Sequence, residues 1–256
     1  MRILALGDIV GTQTIDYLNR FLWSFRKKER LDLVIANGEN TTDIRGLSAK
    51  DADALSNAGI DVITLGNHAF GIRDLYPYLE REKNIIRPAN YPPKSPGNGY
   101  TVVCIDGWRV LCINISGRVY LDPLADPFDT VERILEREEG NYDLSVMDIH
   151  AEAASEKLAL AHYFDGRIHL MFGTHTHVPT ADEQILPHGS GYVTDLGMCG
   201  PIGGIIGTAK EDVIEKFRSM MPVYFHVANG EIRAQGIVCD IDCDTGKIKE
   251  LKRIQF

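Results

Sequence analysis

The sequence predicts an α/β chain, shading into α+β by strand direction, built as two facing mixed β-sheets with helices outside. Three observations predict it. Strand-like apolar runs alternate with helix-periodic stretches from Arg2 to Leu65. The last part of the chain turns to β-type alternation, with Asn229-Gly230 and Thr245-Gly246 as turn signals. Short polar clusters recur where apolar runs stop, the place where layered α/β folds gather their sites.

The elements follow in order. Arg2 to Leu6 reads as a buried strand, and Thr14 to Lys28 as a helix with Ile15, Leu18, Phe21, Leu22 and Phe25 at helical spacing. Leu33 to Ala36 is the second strand. Ser48 caps a helix through about Asn57, with Asp51 in its first turn and Gly59 just past its end. Val62 to Leu65 is the third strand. The Pro- and Gly-rich stretch Arg87 to Gly99 is an ordered surface loop. Tyr100 to Asp106 and Arg109 to Ile115 form a hairpin. Phe128 to Glu138 is a helix, Leu144 to Met147 a strand, Glu152 to Phe164 a helix and Ile168 to Phe172 a strand. A short helix near Ala209 to Met220 precedes three further strands, Val223 to Val227, Ile232 to Ile241 and Ile248 to Ile254. Nothing marks a linker or a repeat, so residues 1–256 are expected to be one domain.

With 256 residues, 44% hydrophobic and 25% charged, the chain has the composition of an ordinary globular protein. A net charge of -9 argues against a general nucleic-acid surface. A small anionic substrate stays open, because bound cations reverse a local field. The apolar start at Met1 is too short for a secretion signal, and no stretch is long enough to cross a bilayer. Five cysteines without a metal-type pair motif suggest reduced thiols in the cytoplasm.

The polar clusters carry the chemistry. They read Gly7-Asp8-Ile9-Val10, Asn37-Gly38-Glu39-Asn40, Gly66-Asn67-His68, Asp148-Ile149-His150 and Gly173-Thr174-His175-Thr176-His177. Alone, Asp8 reads equally well as a helix cap, and Asn37 to Asn40 as a plain turn. Glu39 offers two carboxylate oxygens, enough to bridge two cations about 3.5–4 Å apart. Asn67 and His68 divide naturally into a metal ligand and a side chain free for proton transfer. His150 ends a strand, and imidazole is the commonest transition-metal ligand. In an extended segment His175 and His177 share one face and can address one pocket. Five such clusters, each after an apolar run, are improbable by coincidence. Imidazole, carboxylate and amide oxygen without thiolate suit iron, manganese or zinc. His162, His169, His188 and His226 lack such neighbours and read as structural. Lys157, in Ser155-Glu156-Lys157, reads as helix-surface charge with phosphate positioning as the alternative. Ser116-Gly117-Arg118 is a weaker candidate phosphate contact, and Gly200 to Ile205 a flexible loop without the GK[ST] of a phosphate loop.

At these clusters, and at Arg87-Pro88-Ala89-Asn90-Tyr91-Pro92, Ser155-Glu156-Lys157, Thr180-Ala181-Asp182 and Asp195-Leu196-Gly197-Met198, the chain resembles calcineurin-like metallophosphoesterases. More narrowly, it resembles their bacterial YmdB-type branch. Val10 stands where the wider superfamily has a His, Glu39 where it has a bridging Asp, and Asn40 looks like the replacement ligand. Thr12-Gln13-Thr14 departs from the basic stretch expected after Gly11 within the branch. The resemblance implies a four-layer sandwich and hydrolysis of cyclic nucleotides, 2',3'-cyclic first and 3',5'-cyclic in the same class. It implies one metal held by Asp8, Glu39, Asn40 and His177, and a second by Glu39, Asn67, His150 and His175. Iron leads among the candidate ions. His68 resembles the proton donor to the leaving alkoxide, with a metal-held hydroxide as nucleophile. The expected partner is a small phosphodiester, with neither membrane nor general nucleic acid, and a homo-oligomer is left open. A phosphomonoesterase or RNA-directed nuclease on the same centre, and a non-enzymatic regulatory metal-binding protein, are the alternatives.

Overall fold

The computed structural model describes residues Met1–Phe256. Two six-stranded mixed sheets face each other. In the first, Arg2–Leu6, Leu33–Asn37, Val62–Thr64 and Ile85–Ile86 run parallel, while Gln235–Ile241 and Ile248–Gln255 extend it by antiparallel pairing. In the second, Trp108–Ser116, Leu144–His150, Leu170–Thr174 and Gly191–Val193 are parallel, with Tyr100–Ile105 and Gln184–Ile185 antiparallel at its edges.

Strand alternation builds the layers. Ile3 and Ala5 point between the sheets, where Leu33, Ile35, Val110, Val146 and Phe172 join them. Leu4 and Leu6 point outward onto the helices Gln13–Glu29 and Ala49–Asn57 through Leu18, Leu22 and Leu55. On the far side Leu111, Ile113 and Met171 pack under the helices Pro127–Arg137 and Ala154–Tyr163 through Val131, Ile134 and Leu160. Central strands covered on both faces are apolar at most positions, so they read as near-continuous runs. The result is the expected four layers. No helix is long and apolar enough to cross a membrane.

Three local expectations are corrected, and one helix is added to them. Val223 to Val227 alternates in exposure, but only Val227 makes a bridge, to Thr208. Asp212 instead accepts the His226 N–H at 2.8 Å and faces its ring. Alternation sets which side faces out; it does not supply a strand to pair with. The stretch Ile232 to Ile241 breaks at Ala234 into Ile232–Arg233 and Gln235–Ile241, which join different sheets. Asp8–Ile9 and Met198–Pro201 form a small third sheet with Ile232–Arg233, so part of the presumed Gly200 to Ile205 loop is strand. An unanticipated helix, Leu75–Arg81, tolerates Pro77 because the proline sits in its first turn.

Ser48 caps its helix as expected, accepting the Asp51 N–H at 3.1 Å. Ser48→Ala should cost about 1 kcal/mol of unfolding free energy, read as a lower urea midpoint at unchanged slope. An unshifted midpoint would show the cap to be energetically idle.

Candidate metal centre

All five polar clusters meet at the carboxyl ends of the central strands. Asp8 follows Arg2–Leu6, Glu39 and Asn40 follow Leu33–Asn37, and Asn67 and His68 follow Val62–Thr64. From the facing sheet, His150 ends Leu144–His150, and His175 follows Leu170–Thr174. Asp8, Glu39, Asn40 and His150 are buried, and His68 is half-buried.

The hydrogen bonds orient each donor. Thr174 Oγ1 donates to Asp148 Oδ1 at 2.7 Å, so it accepts the His150 Nδ1–H at 2.9 Å. That turns the His150 Nε2 lone pair inward. Around it stand Glu39 Oε1 at 3.0 Å, Asn67 Oδ1 at 3.0 Å and His175 Nδ1 at 3.1 Å. His175 is held from behind by Glu152, 3.1 Å from its Nε2. His177 donates Nδ1–H to the Ile206 carbonyl at 2.9 Å and leaves Nε2 3.8 Å from Asp8 Oδ1. Asn40 directs its amide N–H groups to the Ile44 carbonyl and to His68 Nδ1. Its Oδ1 is buried without a partner, as is Asp8 Oδ1.

These orphans test the fit of a metal. Buried polar oxygens are rarely left unpaired, and here two of them flank a knot of lone pairs that repel one another unless something positive lies between. The donor set is nitrogen and oxygen only, the kind that takes divalent transition ions. Asp8 faces both histidine strands: its Oδ1 lies 3.8 Å from His177 Nε2 and 4.0 Å from His150 Nδ1, and its Oδ2 accepts the His175 backbone N–H at 3.0 Å. Glu39, His150 and His175 bring ligand atoms within 4.8 Å of one another.

The electrostatics agree. Burial opposes a charge on His150, yet the carboxylates of Glu39, Asp8 and Asp148 outweigh it and push the imidazole up to about 9. Burial would raise Glu39, but His150 and His68 hold it well below the usual carboxylate range. Burial raises Asp8, against the pull of His177 and His150, and pushes Asp148 up to about 6. Burial and the His150 charge push His175 down to about 3. In the metal-free chain, a proton on His150 does the work of a cation.

The His175-Thr176-His177 segment differs from expectation. It is not extended: His175 and His177 have φ of 95° and 63°. Both rings face the centre through left-handed turns, not through strand alternation. Non-glycine residues hold such angles only where the surroundings insist. Lys157 and Asp195 supply the insistence. Lys157 is fully buried, which corrects its reading as surface charge. Its Nζ donates to Asp195 Oδ2 at 2.7 Å and to the Thr174 carbonyl at 2.8 Å, while Thr176 Oγ1 donates to the same Asp195 oxygen at 2.8 Å. Arg118 is already paired with Asp126 and does not face the cluster as a free cation. Glu152, Thr174 and Asp195 escaped the reading of the clusters as ligands, because residues that orient a ligand carry no spacing signal of their own.

A buried cluster of imidazole, carboxylate and amide oxygens, at the carboxyl edge of two facing mixed sheets, is the architecture of a metallophosphoesterase, a fold that implies divalent metal ions. The family model described as YmdB-like protein matches residues 4–254, and the chain belongs to that family. A 2',3'-cyclic-nucleotide 2'-phosphodiesterase of Bacillus subtilis (strain 168) is 41% identical over 254 residues, spanning 99% of this chain and 96% of that protein. The crystal structure of a hypothetical protein from Thermus thermophilus superposes with a TM-score of 0.94 at 39% identity, covering 100% of this chain and 99% of the other. That of a novel phosphatase from Mycoplasma pneumoniae gives 0.94 at 33%, covering 100% and 93%.

This wiring makes two tests possible. His150 sits at about 9 in the folded metal-free chain against an ordinary 6.5. Its contribution to stability is therefore complete below the ordinary value and lost as pH rises through the folded one. Thermal melts in chelator should fall between those limits, while metal-loaded protein lacks that slope; a flat melt in chelator would remove the proton from the cluster. For the clamp, Lys157→Met alone should cost about 3–5 kcal/mol, and pairing it with Asp195→Leu should return most of that stability. Metal content by elemental analysis should stay low in the double variant, because the loop has lost its tether. Full metal content there would make the pair dispensable for the loop.

Proposed function

We propose that this chain is a metal-dependent phosphoric ester hydrolase that opens cyclic nucleotides, 2',3'-cyclic first and 3',5'-cyclic in the same class. The observation that carries the reading is the pair of orphaned buried oxygens, Asp8 Oδ1 and Asn40 Oδ1, beside the lone-pair knot at His150. Asp8, Glu39, Asn40 and His177 would hold one ion. Glu39, Asn67, His150 and His175 would hold a second, and His68 would be the catalytic acid. Iron leads, with manganese or zinc as the other ions that such donors accept. Two bound ions would supply water activation and neutralisation of charge on the phosphoryl oxygens.

The chain's own groups supply the rest. Asn40 donates to His68 Nδ1 at 3.2 Å, and the His68 backbone N–H donates to Glu39 Oε2 at 2.8 Å. The ring is thus fixed with Nε2–H directed away from Asn40, ready to protonate a departing ribose oxygen. The buried walls around His150 keep bulk water from screening the site. The named activity of the Bacillus subtilis relative supports the same substrate class. The reading takes residues 1–256 as one domain acting in the cytoplasm on small phosphodiesters. The net charge of -9 weighs against long nucleic acid as the substrate.

The experiment combines a substrate panel with elemental analysis. Metal-loaded protein should cleave 2',3'-cyclic nucleotides in preference to monophosphates and short RNA, with two ions per chain. His68→Ala should lower turnover about 10²–10⁴-fold at unchanged metal content. Unchanged turnover would remove His68 from the mechanism. Inactivity toward every phosphoester would return the chain to a regulatory metal-binding role.

A further inference from the structure

A sizeable cavity lies away from the metal centre. It holds about 550 Å³ between the loop Arg87 to Gly99 and the helix Pro127–Arg137, within the size range of small-molecule sites. None of the candidate metal ligands lines it. Three guanidinium groups do, those of Arg87, Arg133 and Arg137, and not one aspartate or glutamate. In a chain with 36 acidic and 27 basic residues, an acid-free wall with three arginines is a local reversal of charge.

Arg87 sharpens the point. It is 5% exposed, and no carboxylate lies within ion-pair distance. It donates from Nε to the Pro96 carbonyl at 3.1 Å, from Nη1 to Pro88 at 2.8 Å and from Nη2 to Ser95 at 3.3 Å. Those three bonds leave two of its five N–H groups and its whole charge unanswered by an anion. A buried charge without a counter-charge is costly. Arg133 and Arg137 lie one helical turn apart, so their side chains share a face. Arg133 bonds only to the Asp129 carbonyl and Thr130 Oγ1, and the nearest carboxylate to Arg137 is Glu138 at 3.9 Å. Tyr91 and Tyr100 add aromatic walls. The Tyr91 ring is held edge-on to Phe70, with centroids 5.2 Å apart, and the Tyr100 hydroxyl donates to Glu138 Oε1 at 2.8 Å.

We propose that this cavity is a second ligand site, separate from the metal centre, that takes a mononucleotide with its phosphate on the arginines and its base along the aromatic wall. Guanidinium forks match phosphate oxygens two at a time, and fixed rings accept a flat base at little entropic cost. The anionic part of the assignment stands on the cavity alone. The choice of a nucleotide rests on the proposed cyclic-nucleotide reading. The loop also ties the cavity to the centre: Asn90 donates to the Ser116 carbonyl at 2.8 Å, and Ser116 pairs in register with His150.

Equilibrium dialysis in chelator, with AMP and adenosine as probes, tests the site on the full chain. Wild-type protein should bind AMP at least about tenfold more tightly than adenosine, a difference of about 1.4 kcal/mol. Arg133→Ala combined with Arg137→Ala should weaken AMP by a similar factor, with circular dichroism unchanged. Asp8→Asn, which alters only the centre, should bind AMP as wild type does. Absence of AMP binding would overturn the proposal, as would binding that survives the double arginine change and disappears in Asp8→Asn. Hydrolysis by the metal-loaded double variant reports separately on the proposed activity: cleavage there with AMP binding lost keeps the two sites distinct, and inactive wild type that still binds AMP fails the hydrolytic reading alone.

Discussion

The His150 Nε2 lone pair is aimed into a space where Glu39, Asn67 and His175 aim theirs, and the whole centre is organised around that conflict. Three acceptors stand 3.0–3.1 Å from a fourth, and they repel unless a positive charge lies among them. The tautomer that creates the conflict is enforced from outside, through Thr174 and Asp148 in the same sheet. The fold therefore does not merely permit a cation here; it uses a buried relay to make one necessary. The upward push on His150 and the downward push on His175 are two faces of that demand in the metal-free chain.

Close approach of the two sheets makes the geometry attainable. Gly66 lies where a Cβ would sit 2.2 Å from His150 Nε2 and 2.5 Å from Glu39 Oε2, so any side chain there would occupy the space between the donors. Gly173 plays the matching part on the facing sheet, where a Cβ would strike the Thr194 carbonyl and the Lys157 stem. The apolar layer between the sheets, from Ile3 and Ile35 to Val146 and Phe172, holds both edges in register. Core packing of this kind is stiff, and that stiffness lets five separate strand ends agree on one point.

Much of this was legible in the sequence, for a physical reason. Doubly covered strands are largely apolar, so their ends are marked by polar residues, and here those residues come together at one edge. What escaped depended on contacts between distant segments. The period-2 pattern of Val223 to Val227 could not reveal that Asp212 would claim His226. The two-residue strand Asp8–Ile9 and the seven-residue helix with Pro77 are too short for periodicity to register. The spacing of His175 and His177 pointed to one pocket by way of an extended backbone, yet the rings arrive there through left-handed turns. Lys157 lies next to Glu156 on a helix, in a pattern that reads as surface charge, and only its meeting with Asp195 takes it inside. Asn40 entered the ligand set by resemblance; its orphaned oxygen became visible only once Ile44 and His68 had taken its N–H groups.

The choice of amides over carboxylates at Asn40 and Asn67 has an energetic logic. The chain must fold before, or without, its metals, and each buried unpaired carboxylate would cost several kcal/mol. One proton on His150 offsets one of the two negative charges of Asp8 and Glu39 in the metal-free site, and Asp148 is raised toward its own neutral form. Carboxylates at positions 40 and 67 would add two negative charges to a pocket where burial already raises Asp8 and His175 is pushed toward its neutral form. Amide oxygens donate to a cation without carrying that charge. The same side chain at Asn40 also presents N–H groups, which a carboxylate cannot, and these set the orientation of His68. With neutral oxygens at these two positions, the half-buried centre carries less negative charge in the metal-free chain.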